Sequence, residues 1–105
     1  MQYRKLGHSG LDVSAYGLGV MTFGGQTGED DAMRQMDMAF AAGITLFDTA
    51  ENYPTPTGPA TQGHSEVLLG KWATSRKLRD KIVIATKAAG PGNAAGDMTH
   101  IRGAN

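Results

Sequence analysis

The chain contains no cysteine among its 105 residues. That excludes disulfide staples, thiolate metal sites and a thiol nucleophile, and it suits a reducing cytoplasm. Neither charge is in excess: 10 basic and 10 acidic side chains are scattered without runs, so the electrostatic footprint of a nucleic-acid or anionic-membrane binder is missing. No long apolar run is present either. The start, Met1-Gln2-Tyr3-Arg4-Lys5-Leu6, lacks the apolar segment of a secretion signal, and no stretch approaches the roughly 18 residues of a membrane span. These absences point to a soluble cytoplasmic protein with small neutral partners. What is present, 40% apolar residues, suffices for one folded unit or a piece of one.

Along the chain, Tyr3 to Leu6 and Leu11 to Ser14 flank Gly7-His8-Ser9-Gly10, which predicts a β-hairpin over residues 1–14. Ala15 to Gly19 reads as a first barrel-type strand, ending in Met21-Thr22-Phe23-Gly24-Gly25, where small residues let backbone approach a ligand. From Thr27 the period becomes helical. Thr27 or Glu29 is the expected cap, Met33, Met36, Phe40 and Ala41 recur on one face, and Gly43 closes the helix. The six methionines fall mostly on or near this helix and read as core. Ile44 to Phe47 is a short buried strand with Asp48 at its C-terminal end. Residues 54–63, with three of the four prolines, predict an extended surface loop. His64-Ser65-Glu66 opens a second helix, whose Val67, Leu68, Trp72 and Lys71 stem would cover the sheet, and Ile82 to Thr86 reads as another buried parallel strand. Met98 to Arg102 hints at a further helix start in an irregular tail, 93–105.

Serial strand-helix units with a repeat of about 38 residues over 15–92 fit two architectures, the doubly wound sheet and the (β/α)8 barrel, and both present ligands at the C-terminal strand ends. The residues there are Gly19 to Thr22, Asp48 to Tyr53, and Lys87. Adjacent parallel strands lie about 4.8 Å apart, so Asp48 and Lys87 can form an ion pair, with Tyr53 on the same loop as Asp48. A phenol beside an ammonium can deliver a proton to a forming alkoxide. Taken singly, each has a plainer reading: a turn aspartate, a packing aromatic, a lysine carrying its charge off a strand. Gly17-Leu18-Gly19-Val20-Met21-Thr22 departs from the dinucleotide fingerprint, ending in Thr with no acidic residue at the expected separation. His8, His64 and His100 lack metal-ligand spacing, His64-x-Glu66 reads as a helix-opening pair, and no metal site is expected.

Several segments, in order, carry a resemblance: Tyr3-Arg4-x-Leu6-Gly7-x-Ser9-Gly10-Leu11-x-Val13-Ser14, Gly17-Leu18-Gly19 with Met21-Thr22-Phe23-Gly24, Ala42-Gly43-Ile44, Phe47-Asp48-Thr49-Ala50-Glu51-x-Tyr53, and Ala85-Thr86-Lys87. Together they resemble the aldo/keto reductase family, and the Pro-rich loop before Gly-x-Ser-Glu looks most like its bacterial Tas-like, NADP-dependent oxidoreductase branch. The resemblance implies an α/β fold in which residues 1–105 form the N-terminal hairpin and first three strands of a (β/α)8 TIM barrel. It implies NADPH as cofactor and a small aldehyde or ketone as substrate, reduced to an alcohol. By position, Tyr53 would donate the proton, Lys87 would assist it and Asp48 would orient Lys87. Gly19, Val20, Met21 and Asp48 would lie near the nicotinamide ribose, with Val20 where members often have Thr. The family's catalytic histidine follows the fourth strand, and His100 does not match it. A barrel of this kind needs about 250 residues, so the chain reads as an incomplete N-terminal portion, inactive alone, with open edges available for self-association. The alternative is a non-catalytic binding or assembly module, or a regulatory subunit of the same fold.

Overall fold

In a computed structural model the structure describes residues 1–88; the expected irregular tail over 93–105, its helix start at Met98 and His100 lie outside the described residues. Strands β1 (Tyr3–Lys5) and β2 (Asp12–Ser14) pair antiparallel, Tyr3 opposite Ser14. Their turn works because Gly7 and Gly10 take φ of 54° and 83°, a region that side chains disfavour. Lys5 and Asp12 face each other across the pair at 2.9 Å. Ala15 does not begin the next strand, because its N–H completes the hairpin on the Gln2 carbonyl at 2.7 Å.

The second sheet is parallel, in the order β3 (Gly17–Gly19), β4 (Leu46–Asp48), β5 (Val83–Ala85). Between its strands run α1 (Glu29–Ala41) and α2 (His64–Ser75), which pack on each other. This strand order is common to the barrel and to one half of a doubly wound sheet. Ser14 ties the hairpin to the N-terminal end of β4: its hydroxyl accepts from the Thr45 N–H at 2.8 Å and donates to the Tyr16 carbonyl at 2.6 Å.

Several expectations need correcting. The cap of α1 is Gly28, with no side-chain cap bond, because the Thr27 hydroxyl is 2.9 Å from that of Thr22 instead. Gly43 does close α1, with φ of 96°. On α2 the sheet-facing stripe is Ser65, Leu68, Leu69, Trp72 and Ala73, at the spacing of one helical face. Val67 is 64% exposed, and Lys71, one turn further along the same outer stripe, reaches Glu29 at 2.7 Å. The methionines divide: Met36 is fully buried, whereas Met38 is 66% exposed and Met1 and Met21 are about half exposed, since only Met33 and Met36 share the stripe of Phe40 that meets the core. The expected strand Ile82 to Thr86 is shorter and not buried throughout: Ile82, just before β5, is buried, Val83 and Ile84 are half-buried, and Ala85 and Thr86 are exposed. Among the described residues β5 pairs only with β4, so one of its sides has no neighbouring strand.

The core centres on Trp72, fully buried against Phe47, with ring centroids 5.1 Å apart, and edge-on to Phe40 at 6.1 Å. Its indole N–H donates to Asp37 Oδ1 at 2.8 Å, and Arg76 Nε and Nη2 reach the two Asp37 oxygens at 3.0 and 2.9 Å. One carboxylate on α1 thereby fixes the C-terminal end of α2. Hydrogen bonds from Arg76, then from Trp72, hold the Asp37 carboxyl below its usual value of 3.8. Asp37→Ala leaves the buried indole N–H without a partner and is expected to lower unfolding free energy by about 1–3 kcal/mol, whereas Arg76→Ala, which spares the indole bond, costs less. A depressed carboxyl stabilises above its ordinary pKa and ceases to as pH falls through the depressed one. The gap between parent and Asp37→Ala in urea melts should therefore be full at pH 7 and narrow at strongly acid pH, where the neutral carboxyl keeps an acceptor for the indole but loses its charge; equal midpoints at pH 7 would contradict this account.

Candidate active site

The register of the parallel sheet sets Gly19, Asp48 and Ala85 in one row at the C-terminal strand ends. The ladder runs on past the strands: Val20 N–H donates to Asp48 O at 3.0 Å, Thr49 N–H to Ala85 O at 2.8 Å and Glu51 N–H to Lys87 O at 3.0 Å. Three rim segments are therefore held together by main-chain bonds, and their side chains follow.

Lys87 Nζ lies 3.0 Å from both Asp48 carboxylate oxygens and 2.8 Å from the Thr49 carbonyl. It is also 3.5 Å from the Tyr53 hydroxyl, a long contact, and 5.0 Å from the centre of that ring. An ammonium has three N–H donors, and carboxylate, carbonyl and phenol oxygen are three acceptors. Hydrogen bonding to Asp48, outweighing partial desolvation and helped by Tyr53, pushes the Lys87 amine above its ordinary value. Tyr53 is half-buried and its main chain is fixed at both ends, its N–H on Ala50 O at 3.1 Å and its carbonyl accepting from Gly63 N–H at 3.0 Å. The Asp48, Tyr53 and Lys87 side chains thus meet at one rim, and with Lys87 and Asp48 side chains 53% and 48% exposed they face solvent.

Residues 54–63 are less superficial than an extended surface loop: Pro54 is buried, Thr55 N–H donates to Met21 O at 2.9 Å, and the Thr57 hydroxyl donates to Asn52 O at 3.1 Å. The glycines after β3 also serve the protein's own packing rather than open a path to a ligand. At Gly24, with φ of 90°, an added Cβ would sit 2.7 Å from His64 Cβ, and at Gly25 it would meet Pro54 at 3.0 Å.

Of the positions matched to the nicotinamide ribose, Gly19 is exposed with open space where a side chain would be, and Met21 is 51% exposed. With the Asp48 carboxylate in the same row, they offer an uncrowded platform that fits a flat ring and a ribose hydroxyl. Val20 does not. Its side chain is fully buried, its N–H is spent on Asp48 and its carbonyl accepts from Phe23 N–H at 3.0 Å; it supports the rim from beneath because the chain turns inward there. Among the described residues no three His, Asp or Glu side chains gather as metal ligands.

Two rim contacts were not legible from spacing. Ser65, fully buried, donates to Phe23 O at 2.6 Å, and the Thr86 hydroxyl donates to Glu66 Oε1. The Gly-x-Ser-Glu segment at the start of α2 was the available signal.

The aldo/keto reductase family model matches residues 15–103. Protein tas of Escherichia coli (strain K12) is 50% identical over 91 residues, which are 87% of this chain and 26% of that protein. YrpG of Bacillus subtilis (strain 168), described as an uncharacterized oxidoreductase, is 44% identical over 92 residues, 87% of this chain and 27% of its own length. An aldo-keto reductase from Bacillus halodurans, solved in its holo form, superposes with a TM-score of 0.69 at 38% identity, covering 85% of this chain and 26% of that one. The chain spans about a quarter of the length of the curated relatives it matches. The likeness to solved reductase barrels decides between the two architectures: the hairpin and three strands are part of a TIM barrel.

The Lys87 and Asp48 pair generates a direct test. A raised amine stabilises below the ordinary lysine value of 10.5 and loses that contribution as pH climbs through the raised one. Asp48→Asn should bring the Lys87 titration, followed by NMR of its side chain, back toward the ordinary value. The stability cost should stay below about 1 kcal/mol, because the pair is solvent-facing; a Lys87 titration indifferent to Asn at 48 would show that the pair does not form.

Proposed function

The chain belongs to the aldo/keto reductase family, and on that premise we propose that its rim is the proton-donating side of an NADPH-dependent reduction of small aldehydes or ketones to alcohols. The observation that carries the reading is Lys87 Nζ between Asp48, at 3.0 Å, and the Tyr53 hydroxyl, at 3.5 Å. Reduced nicotinamide, when bound, would supply the hydride that adds to the carbonyl carbon. Tyr53 gives its hydroxyl proton to the carbonyl oxygen as charge builds there, and the Lys87 ammonium stabilises the phenolate left behind. Asp48 and the Thr49 carbonyl keep that ammonium pointed at the phenol. Gly19 and Met21 form the floor on which the nicotinamide and its ribose would rest, and Asp48 offers an acceptor to a ribose hydroxyl.

The cofactor, the carbonyl substrate and a cytoplasmic setting are parts of this proposal. An absence of cysteine suits a reducing compartment. Among the described residues no helix is long and apolar enough to cross a membrane. A second reading, a non-catalytic assembly module, draws on Leu6 and Leu11, 45% and 47% exposed, and Tyr16, 71% exposed; it predicts self-association of the chain in sedimentation without nucleotide.

The catalytic reading is tested by splicing residues 1–105 in place of the matching segment of a full-length reductase such as protein tas. The chimera should oxidise NADPH with aldehydes. Tyr53→Phe should cut turnover by about 10²–10⁴-fold, the range for a positioned acid, while nucleotide still binds; undiminished turnover would remove Tyr53 from the role of proton donor.

A further inference from the structure

The four residues that open α2 touch all three rim segments. Gly63, in the left-handed region at φ of 89°, donates its N–H to the Tyr53 carbonyl at 3.0 Å. Ser65, two residues on and fully buried, reaches the Phe23 carbonyl beyond β3 at 2.6 Å. Glu66, half-buried, turns the other way and accepts from the Thr86 hydroxyl beyond β5. The main-chain separations are 42 residues for the serine contact and 20 for the glutamate, so these are tertiary ties across the sheet rather than local helix capping.

Such ties matter most at β5. It is three residues long, and Thr86 and Lys87 extend past its last ladder pair and are exposed. A lysine loses considerable rotamer freedom when its ammonium is held in one place, so holding it on Asp48 is cheaper if the main chain beneath it is already fixed. Two bonds fix it: Glu51 N–H on the Lys87 carbonyl at 3.0 Å, and Thr86 on Glu66. The second is a hydroxyl on a carboxylate, stronger than a neutral pair, and the carboxylate lies in the first turn of α2, where the helix dipole favours negative charge.

We propose that the Gly63–Glu66 turn is the positioning element of the rim, with Glu66 a positioning residue that acts through Thr86 to aim Lys87 at Asp48 and Tyr53, and Ser65 one that holds the segment beyond β3 beside them. The proposal rests on the reading of Tyr53, Lys87 and Asp48 given above. Neither Ser65 nor Glu66 exchanges a proton with substrate. Their chemistry is that of a brace, joining the strands on either side of β4 through one helical turn.

The test uses the 105-residue chain and two readouts, the NMR titration of the Lys87 side chain and hydrogen exchange at the Glu51 amide. Thr86→Val, which keeps shape but loses the donor, and Glu66→Ala should both bring the Lys87 titration down toward that of an ordinary lysine. Both should also speed Glu51 exchange by about tenfold, the effect of losing one charge-assisted bond. Glu66→Gln keeps an acceptor without the charge and, its bond to Thr86 being weaker but still made, should leave both readouts between those of the parent and of Glu66→Ala, which separates aiming from a simple loss of negative charge. Should Glu66→Ala fail to fold, Thr86→Val against Glu66→Gln decides. A lowered thermal midpoint with an unmoved Lys87 titration in Thr86→Val would make the tie merely structural and overturn the proposal. If Lys87 titrates as an ordinary lysine in the parent and Asp48→Asn does not alter it, the underlying cluster is absent and both readings fall together.

Discussion

Parallel pairing of β4 with β5, in the register that sets Asp48 opposite Ala85, is the constraint on which the chemistry of this chain depends. Side chains alternate faces along a strand, so a slip of one residue would send Asp48 to the other side of the sheet. The register also aligns the carbonyls and N–H groups past the strand ends, and it is through these that Thr49, Glu51 and Lys87 come within bonding distance. Phe47, the residue before Asp48, is what makes the register costly to lose. It is fully buried against Trp72, and moving a phenylalanine of that kind into water costs about 1.5–3 kcal/mol.

Helix α2 serves both needs from its two ends. Its C-terminal part carries Trp72 and Arg76 onto Asp37 of α1, so the helix pair is locked by a charge-assisted network beside the aromatic cluster. Its first turn reaches the rim through Gly63, Ser65 and Glu66. A rigid helix of 12 residues therefore transmits the position of the core to the position of the rim, and Gly24 lets its start come close because no side chain stands in the way.

Much of this was legible in the sequence, for definite reasons. Asp48 follows an apolar run and Lys87 follows a β-branched one, and strand ends are where the barrel and the doubly wound sheet alike place ligands, so order alone brought them to one rim with Tyr53 on the same loop, while each kept a plainer reading taken singly and only the resemblance gave them roles. Helix faces were less legible. Val67 and Leu69 are both apolar and two residues apart, so the periodic pattern of α2 admits either as core, and only the tertiary packing selects Leu69, which is buried where Val67 is 64% exposed. Val20 was assigned to the rim by its neighbours Gly19 and Met21, but the chain turns between them and carries that one side chain into the core. Thr27 failed as a cap because Thr22, five residues earlier, competes for its hydroxyl. The ties made by Ser65 and Glu66 escaped for a different reason: hydrogen bonds across 42 and 20 residues leave no trace in local spacing.

The exposure of the Lys87 and Asp48 pair sets how much the rim can do as described. Two unit charges 4 Å apart attract by about 1 kcal/mol in bulk water and about 4 kcal/mol at an effective dielectric of 20. With half of each side chain in contact with solvent, the pair works nearer the first limit. Covering the rim would move it toward the second, since excluding water strengthens fixed charges without altering their geometry. This chain matches about a quarter of the length of its curated relatives. Geometry and dielectric are therefore separable at this rim: the parallel strands and α2 set the distances among Asp48, Tyr53 and Lys87, and enclosure would determine how strongly those charges act.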